Sequence, residues 1–156
     1  MRPHITIRAA VPADLAAILQ IGRDSPTAAN WPESSYCQAI EPAGRLVLVA
    51  EESEEVLGFL VSSTATAEWE LENIAVAKLA QRQGVGRTLL SALIQRAKEA
   101  GAGEIRQEIR ASNLVAQSLG QAVGFVQQGR RKGYYRNPDE DALLFKYLLS
   151  RPIKPG

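Results

Sequence analysis

The chain has a single cysteine, Cys37, and a single histidine, His4, among its 156 residues. A disulfide framework needs pairs of thiols and a zinc cage needs clustered Cys and His, so neither is available and no metal site is expected. A Ser–His or Cys–His nucleophile would have to draw on His4, close to the first residue. Without a histidine partner, Cys37 reads as a small buried hydrophobe. Carboxylates, tyrosines, backbone amides and water remain as chemical parts. Also missing is any apolar run long enough to cross a bilayer. The first apolar stretch carries Asp14, unlike a secretory signal, so a cytoplasmic protein with no membrane partner is expected. Charge is nearly balanced, with 18 Lys and Arg against 17 Asp and Glu. That balance offers no broad footprint for nucleic acid, although Arg82 and Arg87 together suit a small polyanion such as a phosphorylated metabolite.

What is present is ordinary for one globular domain: 46% hydrophobic and 22% charged residues, with no internal repeat and no low-complexity linker. The domain is expected over residues 1–150, with 151–156 as a flexible C-terminal tail. "ITIRAA" alternates as a strand, and Pro12 to Asp14 open a helix running to about Arg23. "ESSYCQAI" reads as a shorter helix. "RLVLVAEE" and "EVLGFLVSSTA" read as a hairpin, and "EWELENIAV" adds a third strand. Leu89, Leu90, Leu93, Ile94 and Ala97 then recur on one helical face until Gly101 ends the helix. "EIRQEIRA" follows as a strand and "NLVAQSLGQAV" as a helix stopped by Gly124. "FVQQGRR" and "ALLFKYLL" close the chain as strands around a polar turn that includes Tyr134 and Tyr135. The order describes a mixed α/β domain.

The stretch Gln81-Arg82-Gln83-Gly84-Val85-Gly86-Arg87 lies between a strand and a helix. A helix start offers unpaired amides and partial positive charge, and glycine lets an anion approach them. The same glycines also read as the geometry of a tight strand-to-helix turn. A P-loop would need a lysine after Gly86, and a dinucleotide fingerprint would need a glycine in place of Leu89. The Q-x-x-G-x-G pattern that remains, joined by "WELENIAV", "EIRASN", the pair Gly124-Phe125 and "RRKGYYRNPDEDALLF", resembles the GNAT superfamily of N-acetyltransferases. The run over residues 69–147 is most similar to its RimI-like, ribosomal-protein-alanine branch.

The resemblance implies a GNAT fold: a mostly antiparallel mixed sheet, splayed between strands 4 and 5 and flanked by helices. It implies acetyl-CoA as cosubstrate, with its diphosphate on the backbone of Arg82, Gln83, Gly84, Val85, Gly86 and Arg87. The pantetheine arm would lie along Ile74, Ala75 and Val76, and the Ile74 amide would donate to the oxyanion formed on attack. Asn113 would contact the arm, although it also suits the cap of the next helix. Glu108 falls where the branch keeps its general base, an acceptor for the proton of an α-ammonium whose pKa is about 8. It also reads as one of several charges alternating along a solvated strand; Glu70 and Glu72 are reserve candidates. The family's acid is a tyrosine at the position of Gly120. Tyr134 is the candidate to replace it as a catalytic phenol, and Tyr134 and Tyr135 are expected to line the acceptor groove or to pack at a sheet edge. The acceptor implied is the α-amino group of a protein N-terminus. A small amine is the alternative acceptor, and a weakened acyl-CoA sensor the alternative role; a monomer or dimer is expected.

Overall fold

The computed structural model describes residues 4–25, 28, 29, 31–40 and 44–149. The expected tail at 151–156 lies outside the described residues. Strand β1 (Thr6–Ala9) leads through a 3-10 turn at Pro12–Asp14 into helix α1 (Leu15–Asp24), and α2 spans Glu33–Ile40. Strands β2 (Arg45–Glu52), β3 (Glu55–Ser63) and β4 (Glu68–Val76) form an antiparallel meander. Helix α3 (Val85–Glu99), strand β5 (Glu104–Arg110), helix α4 (Leu114–Val123) and the hairpin of β6 (Val126–Tyr135) and β7 (Glu140–Leu148) complete the order. The strands make one seven-stranded sheet in the order β1-β2-β3-β4-β5-β7-β6.

Both faces of the sheet are covered. On one, Leu89, Leu90 and Leu93 of α3 pack with Leu48, Leu60, Trp69, Ile105 and Phe145. On the other, Ile18 and Ile21 of α1 and Tyr36 and Ala39 of α2 pack with Val47, Val49, Phe59 and Val61. A bulge governs which residues of β4 face which layer. Val61 pairs with Asn73 and Ser62 with Leu71, leaving Glu72 without an opposite number. One extra residue reverses the alternation. Trp69 and Leu71 therefore join the α3 layer, whereas beyond the bulge Ala75 joins the α1 and α2 layer.

The feature that positions the site is the junction of β4 and β5. They are parallel and pair only from Glu68–Glu104 to Glu70–Arg106. Past Glu70 the two strands part, and among the described residues the β4 edge from Leu71 to Val76 has no strand beside it on that side. This is the expected splay.

The last hairpin differs from the expected one. Tyr134 and Tyr135 belong to β6 and not to a loop, and the turn is confined to residues 136–139. Between the pairs Arg131–Ala142 and Tyr135–Glu140, three residues of β6 oppose Asp141 alone. The Asp141 carboxylate accepts from the Gly133 amide at 2.9 Å and pairs with Arg130, and Gly133 takes φ +61°. A side chain thus bridges the bulge, and the ladder resumes at Tyr135.

Candidate functional site

The loop before α3 is built on left-handed backbone. Arg82 has φ +62° and Gly84, the N-cap, has φ +82°, a conformation that glycine adopts without steric cost. No side chain caps the helix. The Gly84 carbonyl accepts from the Thr88 amide at 3.0 Å and the Thr88 hydroxyl at 2.8 Å. The amides of Gly84, Val85, Gly86 and Arg87 therefore precede the first helical hydrogen bond and have no acceptor within the helix. Arg82 and Arg87 are exposed beside them. The glycines serve different ends. Gly86 is buried, and a Cβ there would stand 3.0 Å from Leu119 Cδ2, so its missing side chain lets α4 close on α3.

The strand edge beyond the fork is set by register. The Ala77 amide donates to the Leu57 carbonyl at 2.7 Å, so Ala77 faces β3. Backbone groups alternate sides along a strand, so Ala75 also faces β3, while Ile74 and Val76 turn both N–H and C=O into the split. The predicted trio divides: Ile74 and Val76 present free-edge groups, and Ala75 does not. Gln81 Nε2 donates to the Val76 carbonyl at 3.2 Å, tying the loop to the strand.

The carboxylates converge on the other face of the fork. Ile105 and Ile109 face α3, so Glu108 projects toward the opposite side, where its side chain is 21% exposed and its Oε1 lies 3.5 Å from Arg131 Nη2. Glu70 is exposed as a residue, yet the walls around it desolvate its carboxylate. That effect, reinforced by the charges of Glu108 and then Glu72, holds it above the usual carboxylate range; Arg106 and Arg131 oppose it. Glu72 is committed elsewhere, with two oxygens on the Arg45 guanidinium at 2.9 and 3.2 Å. Arg131 also lies 5.4 Å from the Tyr134 ring centroid, so it stands between Glu108 and Tyr134. Tyr134 is 49% exposed and meets Tyr135 edge-on at 5.2 Å. Arg110 lies over the Tyr135 ring at 4.3 Å. Burial first, and then the Glu108 charge, push the Tyr135 phenol upward, against Arg110.

Asn113 takes the cap position of α4, its Oδ1 accepting from the Ala116 amide at 3.1 Å. Only its Nδ2 remains for another partner. Gly120 is buried inside α4, but nothing crowds it to the point of requiring glycine. A Cβ would lie 3.4 Å from Phe125 Cβ and 3.8 Å from Gln107 Oε1, ordinary contact distances.

Two residues escape the sequence reading. Asn73, 4% exposed, accepts from the Ala29 amide at 3.0 Å and donates to the Tyr36 hydroxyl at 2.9 Å. It thereby fastens the segment between α1 and α2 to β4. A cavity of about 220 Å³ beside this tether is lined by Leu19, Gly22, Ala29, Trp31 and Tyr36 among others. A second, of about 270 Å³, lies between Trp31, Ser35, Gln38 and the Arg45–Glu72 pair. The other residue is Gln107, a polar side chain at the inward position between Ile105 and Ile109. Its signal was that period of two.

The chain is similar to known proteins along most of its length. Residues 15–125 match the acetyltransferase (GNAT) family. The [ribosomal protein bS18]-alanine N-acetyltransferase of Haemophilus ducreyi is 39% identical over 101 residues, 63% of this chain and 70% of that protein. The crystal structure of the ribosomal-protein-S18-alanine N-acetyltransferase from Escherichia coli superposes with a TM-score of 0.84 at 30% identity, over 95% of this chain and 96% of that one. A Salmonella typhimurium protein solved with its cofactor acetyl-CoA superposes with a TM-score of 0.81 at 26% identity, over 97% and 98% of the two chains.

Proposed function

Because the chain belongs to the GNAT family of acetyltransferases and is an acyltransferase, we propose that it moves an acetyl group from acetyl-CoA to the α-amino group of a protein N-terminus, that of a ribosomal protein such as S18. The observation that carries this reading is the split. One lip is the unpaired β4 edge with Ile74 and Val76, and the other carries Glu108 on β5.

The residues fit acetyl-CoA at both ends of that split. Amides without helical acceptors and two exposed arginines at the start of α3 suit a diphosphate. The β4 edge suits the amides of an extended pantetheine arm, as it would suit a peptide strand. When bound, acetyl-CoA supplies the activated acetyl group. The Ile74 amide is the donor for the oxygen on which charge develops, a contact preorganised by the β3–β4 register.

The acceptor approaches from the face of Glu70 and Glu108. An α-ammonium must lose a proton before its nitrogen can attack, and a carboxylate facing the split can accept it directly or through one water. Glu108 takes this role with Glu70 beside it. Arg131 orients Glu108, and Tyr134 and Tyr135 wall the approach. The cavities on Trp31 and Tyr36 supply surface for the residues that follow the acetylated one.

Incubation with acetyl-CoA and a panel of N-terminal peptides, polyamines and aminoglycosides, read by mass spectrometry, tests the proposal. Acetylation of peptides beginning with the alanine of a ribosomal protein is expected. Labelling of the small amines alone would refute the peptide assignment.

A further inference from the structure

Gln107 is the first residue of β5 beyond its ladder with β4, which ends at Arg106. It points to the α3 and α4 side, between Ile105 and Ile109, and is 8% exposed. Its Oε1 is buried and, among the described residues, has no hydrogen-bond partner. Across from it is Gly120, whose absent Cβ would be 3.8 Å from that oxygen. Buried amides in folded proteins are nearly always satisfied, so this one calls for a partner. An apolar side chain at this position would fill the space between two isoleucines with no polar atom to satisfy.

On the proposed reading of the split as the seat of acetyl-CoA, we propose that the Gln107 side-chain amide holds the sulfur end of the coenzyme beside Gly120. The place along the arm follows from the fold. The arm begins at the start of α3, beside Val76, and runs along the β4 edge toward the closed end of the fork at Glu70 and Arg106. Six strand residues span about 20 Å, so what reaches Gln107 is the far end of an extended arm. A half-turn of the amide exchanges its oxygen for its N–H, a rotation about a terminal bond with a broad torsional profile. As the carbon–sulfur bond breaks, its electron pair goes to sulfur. Gln107 donates a hydrogen bond to that sulfur and keeps its proton, and the thiolate is protonated from solvent.

Calorimetric titration at pH 10, where much of the free coenzyme is thiolate, tests this with CoA and with desulfo-CoA, in which hydrogen replaces the thiol. The native protein should bind CoA about tenfold more tightly than desulfo-CoA, the worth of one charge-assisted hydrogen bond. In Gln107→Leu the ratio should fall to about one, with the affinity for desulfo-CoA unchanged. Gln107→Met serves as a second variant if the first does not fold. Equal affinities in the native protein, or a ratio kept in the variants, would overturn the assignment. Binding of neither compound would instead remove the coenzyme reading on which it rests.

Discussion

The Glu108 carboxylate on β5 reinforces the burial that chiefly holds the Glu70 carboxylate on β4 above its usual range, at the closed end of the split between the two strands. Removing the first charge should therefore change the second. Glu108→Gln is expected to lower kcat/KM by about 10²-fold or more, the usual worth of a general base, while leaving acetyl-CoA affinity unchanged. In that variant Glu70 should titrate at lower pH than in the native protein, because one of the charges that raise it is gone. An NMR titration of the Glu70 carboxyl in both proteins checks the direction of that displacement.

Glu70 also has a consequence for stability. Its folded pKa is raised, so its contribution to stability is fully present below the unfolded value near ~4.3 and is lost as pH rises through the folded one. Glu70→Gln removes that loss. The variant should melt higher than the native protein at pH 7 and show no advantage at pH 3.5, a difference in direction that calorimetric melting resolves. A lower melting temperature at pH 7 would mean that the carboxylate has a favourable partner.

The loop before α3 makes separate predictions for its glycines and arginines. Arg82→Ala with Arg87→Ala should weaken acetyl-CoA binding about tenfold, and the loss should shrink as salt rises, because exposed charges are screened. Gly84→Ala places a side chain at φ +82°, so it should cost about 1 kcal/mol of stability as well as affinity. Titration of the folded variants with acetyl-CoA at two ionic strengths separates the two effects. An arginine variant with native affinity would count against the diphosphate assignment.

On the proposed reading of the split, Asn73 connects the strand that would hold the coenzyme to the side that would receive the acceptor, since it sits next to Ile74 and bonds both Ala29 and Tyr36. Asn73→Ala should raise the acceptor KM about tenfold and leave the affinity for acetyl-CoA within twofold. Tyr36→Phe, which keeps the ring but removes the acceptor of the Asn73 amide, should reproduce a smaller part of the effect. Equal losses toward both substrates would show general damage and not a role in placing the acceptor.

The elements of the fold were legible because each announces itself locally. The face of Leu89, Leu90 and Leu93 repeats at helical spacing, and Gly101 and Gly124 adopt the positive φ that ends a helix. The path of β6 to Tyr135 was not legible, because Asp141, a residue of the partner strand, bridges its bulge. Nor could the sequence divide Ala75 from Ile74 and Val76, since that choice depends on which groups β3 takes. Asn73 and Tyr36 are far apart in the chain, and their tether exists only once α2 lies on the sheet. Glu108 was singled out by resemblance, but the elevation of Glu70 depends on burial and on a spatial neighbour that no local pattern displays.

Gly120 makes a prediction for each of two substitutions. Its Cβ would meet Phe125 and Gln107 at ordinary distances, and its φ is not positive, so alanine fits without displacement. Helix propensity favours alanine by up to about 1 kcal/mol, which for a chain of this size is a rise of roughly 2–4 °C in melting temperature. Gly120→Tyr adds a phenol over Gln107 as well. A free thiol has a pKa of about 8.5, so the coenzyme sulfur can leave near neutral pH without a proton donor, and the gain in turnover should stay below about tenfold. General acid catalysis is ordinarily worth 10²-fold or more. A gain of that size would mean that the glycine marks a lost acid and that Gln107 does little for the departing sulfur.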